Sequence, residues 1–193
     1  MKTKIIATLS LMVAFSSFGQ GLIAFQNANF ASQRITTNAV AAGGGTGSMT
    51  TAANSFQFQL FYGSDALSMT NTTPVYLNST TQVGIITGTL AGSFATVYPG
   101  ATSIFAQAFG WTFGLTLAQA QATPGAFWGS STVINPSTST SPAPGTPLFG
   151  STPSSTQFGT FALNVVTVPE PSTLVLAGLG AASLLLFRRR KLA

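Results

Sequence analysis

Between residues 20 and 168 this 193-residue chain carries only two charged side chains, Arg34 and Asp65, and it has no cysteine and no histidine at any position. That scarcity limits what the segment can become. A disulfide framework is excluded, even where an oxidising compartment would permit one. A metal staple has too few ligands to draw on. Stability has to come from apolar packing and backbone hydrogen bonds. The other charges sit at the two ends: Lys2 and Lys4 at the start, and Glu170, Arg188, Arg189, Arg190 and Lys191 at the finish. The formal net charge of +5 therefore belongs to the ends, and the body is neutral. A phosphate backbone needs several Lys or Arg for counterion release, so no nucleic-acid partner is expected. The body is instead rich in Ser, Thr, Asn, Gln and Gly, a wet surface with little charge to keep copies apart.

The apolar residues alternate with period two. Phe56, Phe58, Leu60 and Tyr62 are interleaved with Gln57 and Gln59, the pattern of a strand with one buried face. Ile23 and Phe25 alternate with polar or small neighbours. Phe105, Gln107 and Phe109 share one parity, and Ile104, Ala106 and Ala108 the other. Phe161, Leu163 and Val165 oppose Thr160 and Asn164. Short β-rich runs at 75–77, 83–86, 94–97 and 127–134 are separated by Gly, Pro, Asn and Ser. The expected fold class is all-β: a sandwich or barrel-like domain of short antiparallel strands. Residues 116–122 (Thr-Leu-Ala-Gln-Ala-Gln-Ala) break the pattern. They are rich in helix formers and stop before Pro124-Gly125, so a short helix in a connection is expected. Residues 41–48 hold four glycines and read as a flexible loop. Residues 135–156 contain 16 Ser, Thr or Pro among 22 and read as a poorly ordered loop or stalk. The β-rich domain is thus expected over 20–134, with a last strand within 157–167.

The catalytic inventory is thin. Glycoside hydrolysis usually needs two carboxylates, and the body has Asp65 alone, in a Gly-Ser-Asp context that fits a turn. Its many hydroxyls have no His or Lys to act as base. Gly43-Gly44-Gly45-Thr46-Gly47 lacks the lysine of a phosphate-binding loop. No enzyme activity, cofactor or metal is expected. Trp111 and Trp128 are the candidate ligand-binding residues, as a sugar-stacking surface if exposed and as ordinary core if not. Asn71-Thr72-Thr73 and Asn78-Ser79-Thr80 match the N-glycosylation pattern.

The two ends read as addresses. Met1–Lys4 is a short basic region, Ile5–Phe15 is apolar, and Ser16–Gly19 are small apart from Phe18. This is a signal peptide over 1–19, with signal peptidase expected to cut between Gly19 and Gln20. At the other end, over 168–193, Val168-Pro169-Glu170-Pro171 leads into an apolar stretch from Ser172 to Phe187, closed by the basic residues 188–191. As a helix it would measure about 24 Å, against a bilayer core of about 30 Å. Arg snorkelling and local thinning bridge that difference. Arg188, Arg189, Arg190 and Lys191 would place this end of a transmembrane helix in the cytoplasm, and Lys2 and Lys4 do the same for the leader, leaving the body outside.

The Pro-Glu-Pro motif, the apolar helix and the Arg cluster, in that order, resemble the PEP-CTERM sorting tail of bacterial exported proteins. The resemblance covers about residues 167–192. It implies recognition at Pro169, Glu170 and Pro171 by an exosortase-type transpeptidase, and a Gram-negative type envelope, often with exopolysaccharide. It implies nothing about the body. The reading that follows is an exported surface or matrix protein, with a carbohydrate-binding or adhesin module using exposed aromatics as the alternative.

Overall fold

The computed structural model describes residues 20–27, 31–87, 94–99, 102–140, 145–167 and Leu179. The leader up to Gly19 and, apart from Leu179, the tail from 168 onward lie outside them. This includes Pro169, Glu170, Pro171, the expected 172–187 helix and the 188–191 cluster.

The body is strand-built, as its period predicts. In chain order the strands are β1 (Gln20–Ala24), β2 (Thr36–Asn38), β3 (Thr46–Ser48), β4 (Phe56–Gly63), β5 (Asn71–Thr72), β6 (Tyr76–Asn78), β7 (Ile86–Thr87), β8 (Phe94–Pro99), β9 (Phe105–Thr112), β10 (Phe127–Ser130), β11 (Ser139–Thr140), β12 (Thr146–Pro147) and β13 (Ala162–Val165). Helix α1 (Leu117–Ala122) lies between β9 and β10.

The spine is the antiparallel pair β4–β9, in register from Phe56↔Thr112 to Gly63↔Phe105. Large residues on one strand meet small ones on the other: Phe58 faces Gly110, Leu60 faces Ala108 and Tyr62 faces Ala106. Phe58 and Leu60 are fully buried, and each contributes roughly 1.5–3 kcal/mol by leaving water. The large sheet runs β3-β2-β13-β10-β9-β4-β6-β7, with β5 also on β4. In the small sheet β8 lines one edge of β1, while β11 and then β12 line the other. Ile23 and Phe25 of the first segment join Phe58, Leu60, Tyr76 and Leu163 in one core, so the two sheets share an interior.

Several expectations change. The strands are not all antiparallel: β13 pairs with β2, and β12 with β1, in parallel. Parallel neighbours need long connections, and these partners are far apart in sequence. Residues 41–48 are a 3-10 turn (Val40–Ala42) followed by β3, which pairs with β2. Only Ile86 of the 83–86 run enters a strand, because Gly84 takes a positive φ in a turn. Residues 135–156 contain β11 and β12 and bury Leu148 and Phe149. Phe149 packs edge-on to Phe158 (5.3 Å between centroids) and lies 5.9 Å from Phe25. These two apolar residues, together with the pairing of β11 and β12 to β1, dock the Ser/Thr/Pro-rich stretch. The expected last strand is β13, and its Leu163 is buried while Asn164 is exposed.

With no disulfides, buried amides brace the loops. Asn27 donates to the carbonyls of Gln33 (2.6 Å) and Gly84 (2.7 Å) and accepts from the Ile86 amide (2.7 Å). Asn78 accepts from Ser55 and Phe56 and donates to Ala52. Among the described residues every buried side-chain nitrogen or oxygen has a hydrogen-bond partner. Buried polar groups left without one are expensive, so these amides lock the loops they reach.

Candidate functional site

The tail leaves the body from β13. Val166 is held there: its N–H donates to the Ala126 carbonyl and its carbonyl accepts from Gly125, both at 2.8 Å. Thr167 is exposed, and Pro169 follows three residues after Val166. The registers show what shares this pole. β13 ends beside the start of β10 (Val165↔Phe127), β10 starts beside the end of β9 (Trp128↔Trp111), and β9 ends beside the start of β4. β2, parallel to β13, ends here as well. The connections 39–45, 52–55 and 113–125 therefore gather around the exit.

Helix α1 is among them. It forms at the residues expected, with Thr116 as N-cap: the Thr116 hydroxyl accepts from the Gln119 amide (3.2 Å) and the Gln119 side chain accepts from the Thr116 amide (2.9 Å). A cap of this kind is worth about 1 kcal/mol. Six residues do not hold a helix alone, and α1 buries Ala120 against Trp111 and Ala126.

This decides the fate of the tryptophans. They are cross-strand neighbours on one face, but Trp111 is 4% exposed. Its indole N–H donates to the Leu115 carbonyl at 2.7 Å, and the Gln57 side-chain amide donates to the same carbonyl. Trp111 is not an exposed platform: the 113–116 turn and α1 cover it. Trp128 is half-buried in the same cluster. Farther along this face, half-buried Phe61 and Phe109 meet edge-on at 4.9 Å. The Gln59 and Gln107 amides beside them donate to the carbonyls of Thr73 (2.7 Å) and Ser131 (2.9 Å). Phe61 and Phe109 were not picked out as surface candidates. The signal was their parity, opposite to the core residues of their own strands.

Gln20, where signal cleavage is expected, is the first residue of β1 and pairs with Pro99. Asp65 caps its own turn, its carboxylate accepting from the Leu67 amide at 2.7 Å. Asn78 of the second glycosylation pattern is buried with its amide fully engaged. Among the described residues no three His, Cys, Asp or Glu gather as a metal site. No helix among them is long and apolar enough to cross a membrane.

Residues 167–191 match the PEP-CTERM protein-sorting motif. The motif implies export to the cell envelope or surface and processing by exosortase. No curated protein and no solved structure matches the chain.

Proposed function

We propose that the chain is an exported surface or matrix protein with a structural, non-enzymatic role. In this reading signal peptidase frees Gln20, the apolar helix holds the body outside the inner membrane with the basic end in the cytoplasm, and exosortase cuts near Pro169–Pro171. The observation that carries it is the sorting motif beginning at the residue after Val166, whose N–H and carbonyl are both hydrogen-bonded to the body. A cut near Pro169–Pro171 leaves every described strand in place. Intact mass of the protein from the native envelope and medium tests this. The expected species begins near Gln20 and ends near Pro169–Pro171. A mass retaining Arg188–Ala193 makes the tail a lasting anchor and overturns the processing step. Hydrolase activity in the purified protein would overturn the non-enzymatic reading.

A carbohydrate-binding role is the second reading, favoured by the half-buried aromatics Phe61, Phe109 and Trp128 on one sheet face beside glutamine amides. Rings of this kind stack on the apolar faces of sugars. Glycan-array binding that Trp128→Ala abolishes is expected on this reading, and no binding to any glycan removes it.

A further inference from the structure

We propose that the exit pole is a lipid-facing surface: while the tail is in the membrane, the body rests its uncharged end on the outer face of the bilayer. This rests on the reading of the tail as a membrane-inserted helix. The tether is short. Val166 is hydrogen-bonded to the body and the apolar helix is read from Ser172, six residue steps later. Fully extended, six steps span about 20 Å. The headgroup layer takes roughly 5–8 Å of that, so the pole is held close to lipid whatever its affinity.

Its chemistry fits that position. The connections at this pole carry no charged residue. Of the two charged residues of the body, Asp65 follows the far end of β4, and Arg34 lies before the start of β2, set back from its exit-pole end at Asn38 and packed against Gly84. The eight residues of β4 put the poles about 26 Å apart. At the exit pole Val40 is 59% and Phe113 41% exposed, with Ala118 exposed on α1 and Leu117 half-buried. Scattered apolar and aromatic groups without charge are tolerated at a membrane–water interface, where they shed water without desolvating an ion.

The chain has no cysteine, so Ala118→Cys and Leu67→Cys each create one labelling site at an exposed position. Leu67, 97% exposed, lies beyond the far end of β4. The full-length labelled variants are reconstituted in vesicles of phosphatidylethanolamine and phosphatidylglycerol, with and without nitroxide-headgroup lipid, and recovered by flotation. Given the separation of the poles, quenching at position 118 is expected to exceed that at 67 by ~3-fold or more. Inserting about twelve Gly/Ser residues after Thr167 is expected to bring the two values together, because the tether then reaches past the headgroups. Quenching at 118 that persists with the spacer means the pole holds lipid by its own affinity, and also supports the proposal. Equal quenching at both sites in chains that float overturns it. A chain left behind by the floating vesicles overturns the tail reading, and this proposal with it.

Discussion

Gly129→Ala is expected to destabilise the body by about 3 kcal/mol, the upper part of the range for forcing a group into a packed interior. Gly129 faces Gly110 across β10–β9. A β-carbon at Gly129 would run into the Ala162 carbonyl oxygen and crowd Leu163 Cα at 3.2 Å. Those are backbone atoms of β13, so no rotamer change relieves the clash, and β13 has to move off β10. Gly47→Ala is the matched control. Gly47 sits in exposed edge strand β3 with no atom within 4 Å of the added carbon, so a change within about 0.5 kcal/mol is expected. Urea titration followed by tryptophan fluorescence reads both. Because β13 leads into the sorting motif, the Gly129 variant should also expose the exit segment, seen as faster proteolysis around Val166. Equal midpoints for the two variants would show that the strands have room to spare and that the close approach costs nothing.

Asn27→Leu is expected to cost about 3 kcal/mol although it adds apolar volume in the interior. Asn27 is 5% exposed and ties together three points of the chain: Gln33, Gly84 and Ile86. Gly84 keeps a second partner, since its carbonyl also accepts from the Ile35 amide at 2.9 Å. The loss therefore falls chiefly on the Ile86 N–H. Each buried group left unsatisfied costs about 1–3 kcal/mol. Hydrogen exchange localises the effect: the Ile86 amide should lose about 100-fold in protection, the equivalent of about 3 kcal/mol. An unchanged midpoint with unchanged Ile86 exchange would mean that water replaces the amide, and that Asn27 is not the brace it resembles.

Local pattern alone was enough for much of this protein. Alternation at 56–62 made β4 legible, and the Leu-Ala-Gln-Ala run before Pro124 made α1 legible. The Pro-Glu-Pro motif with its apolar run and Arg cluster made the sorting tail legible. These are properties of neighbouring residues: a period of two, a helix stop, a charge at the end of an apolar stretch. The lack of cysteine likewise settled from sequence that no disulfide holds the fold.

What only the tertiary structure decided is which distant residues meet. Thr36–Asn38 shows no strong strand pattern of its own, and becomes a strand because β13, more than 120 residues later, lies beside it in parallel. Phe149 looks like part of a Ser/Thr/Pro-rich loop until Phe25 and Phe158 are placed around it. Trp111 could be read from sequence as either a stacking surface or core, and is buried because α1 folds back over it. The gathering of uncharged turns at one pole, with Asp65 beyond the far end of β4, follows from strand direction and register, which no local window contains. Periodicity and charge are carried by adjacent side chains, so they can be read in order. Coverage of a face and the company a turn keeps are set by long-range pairing, where packing has to outweigh the entropy of closing long loops.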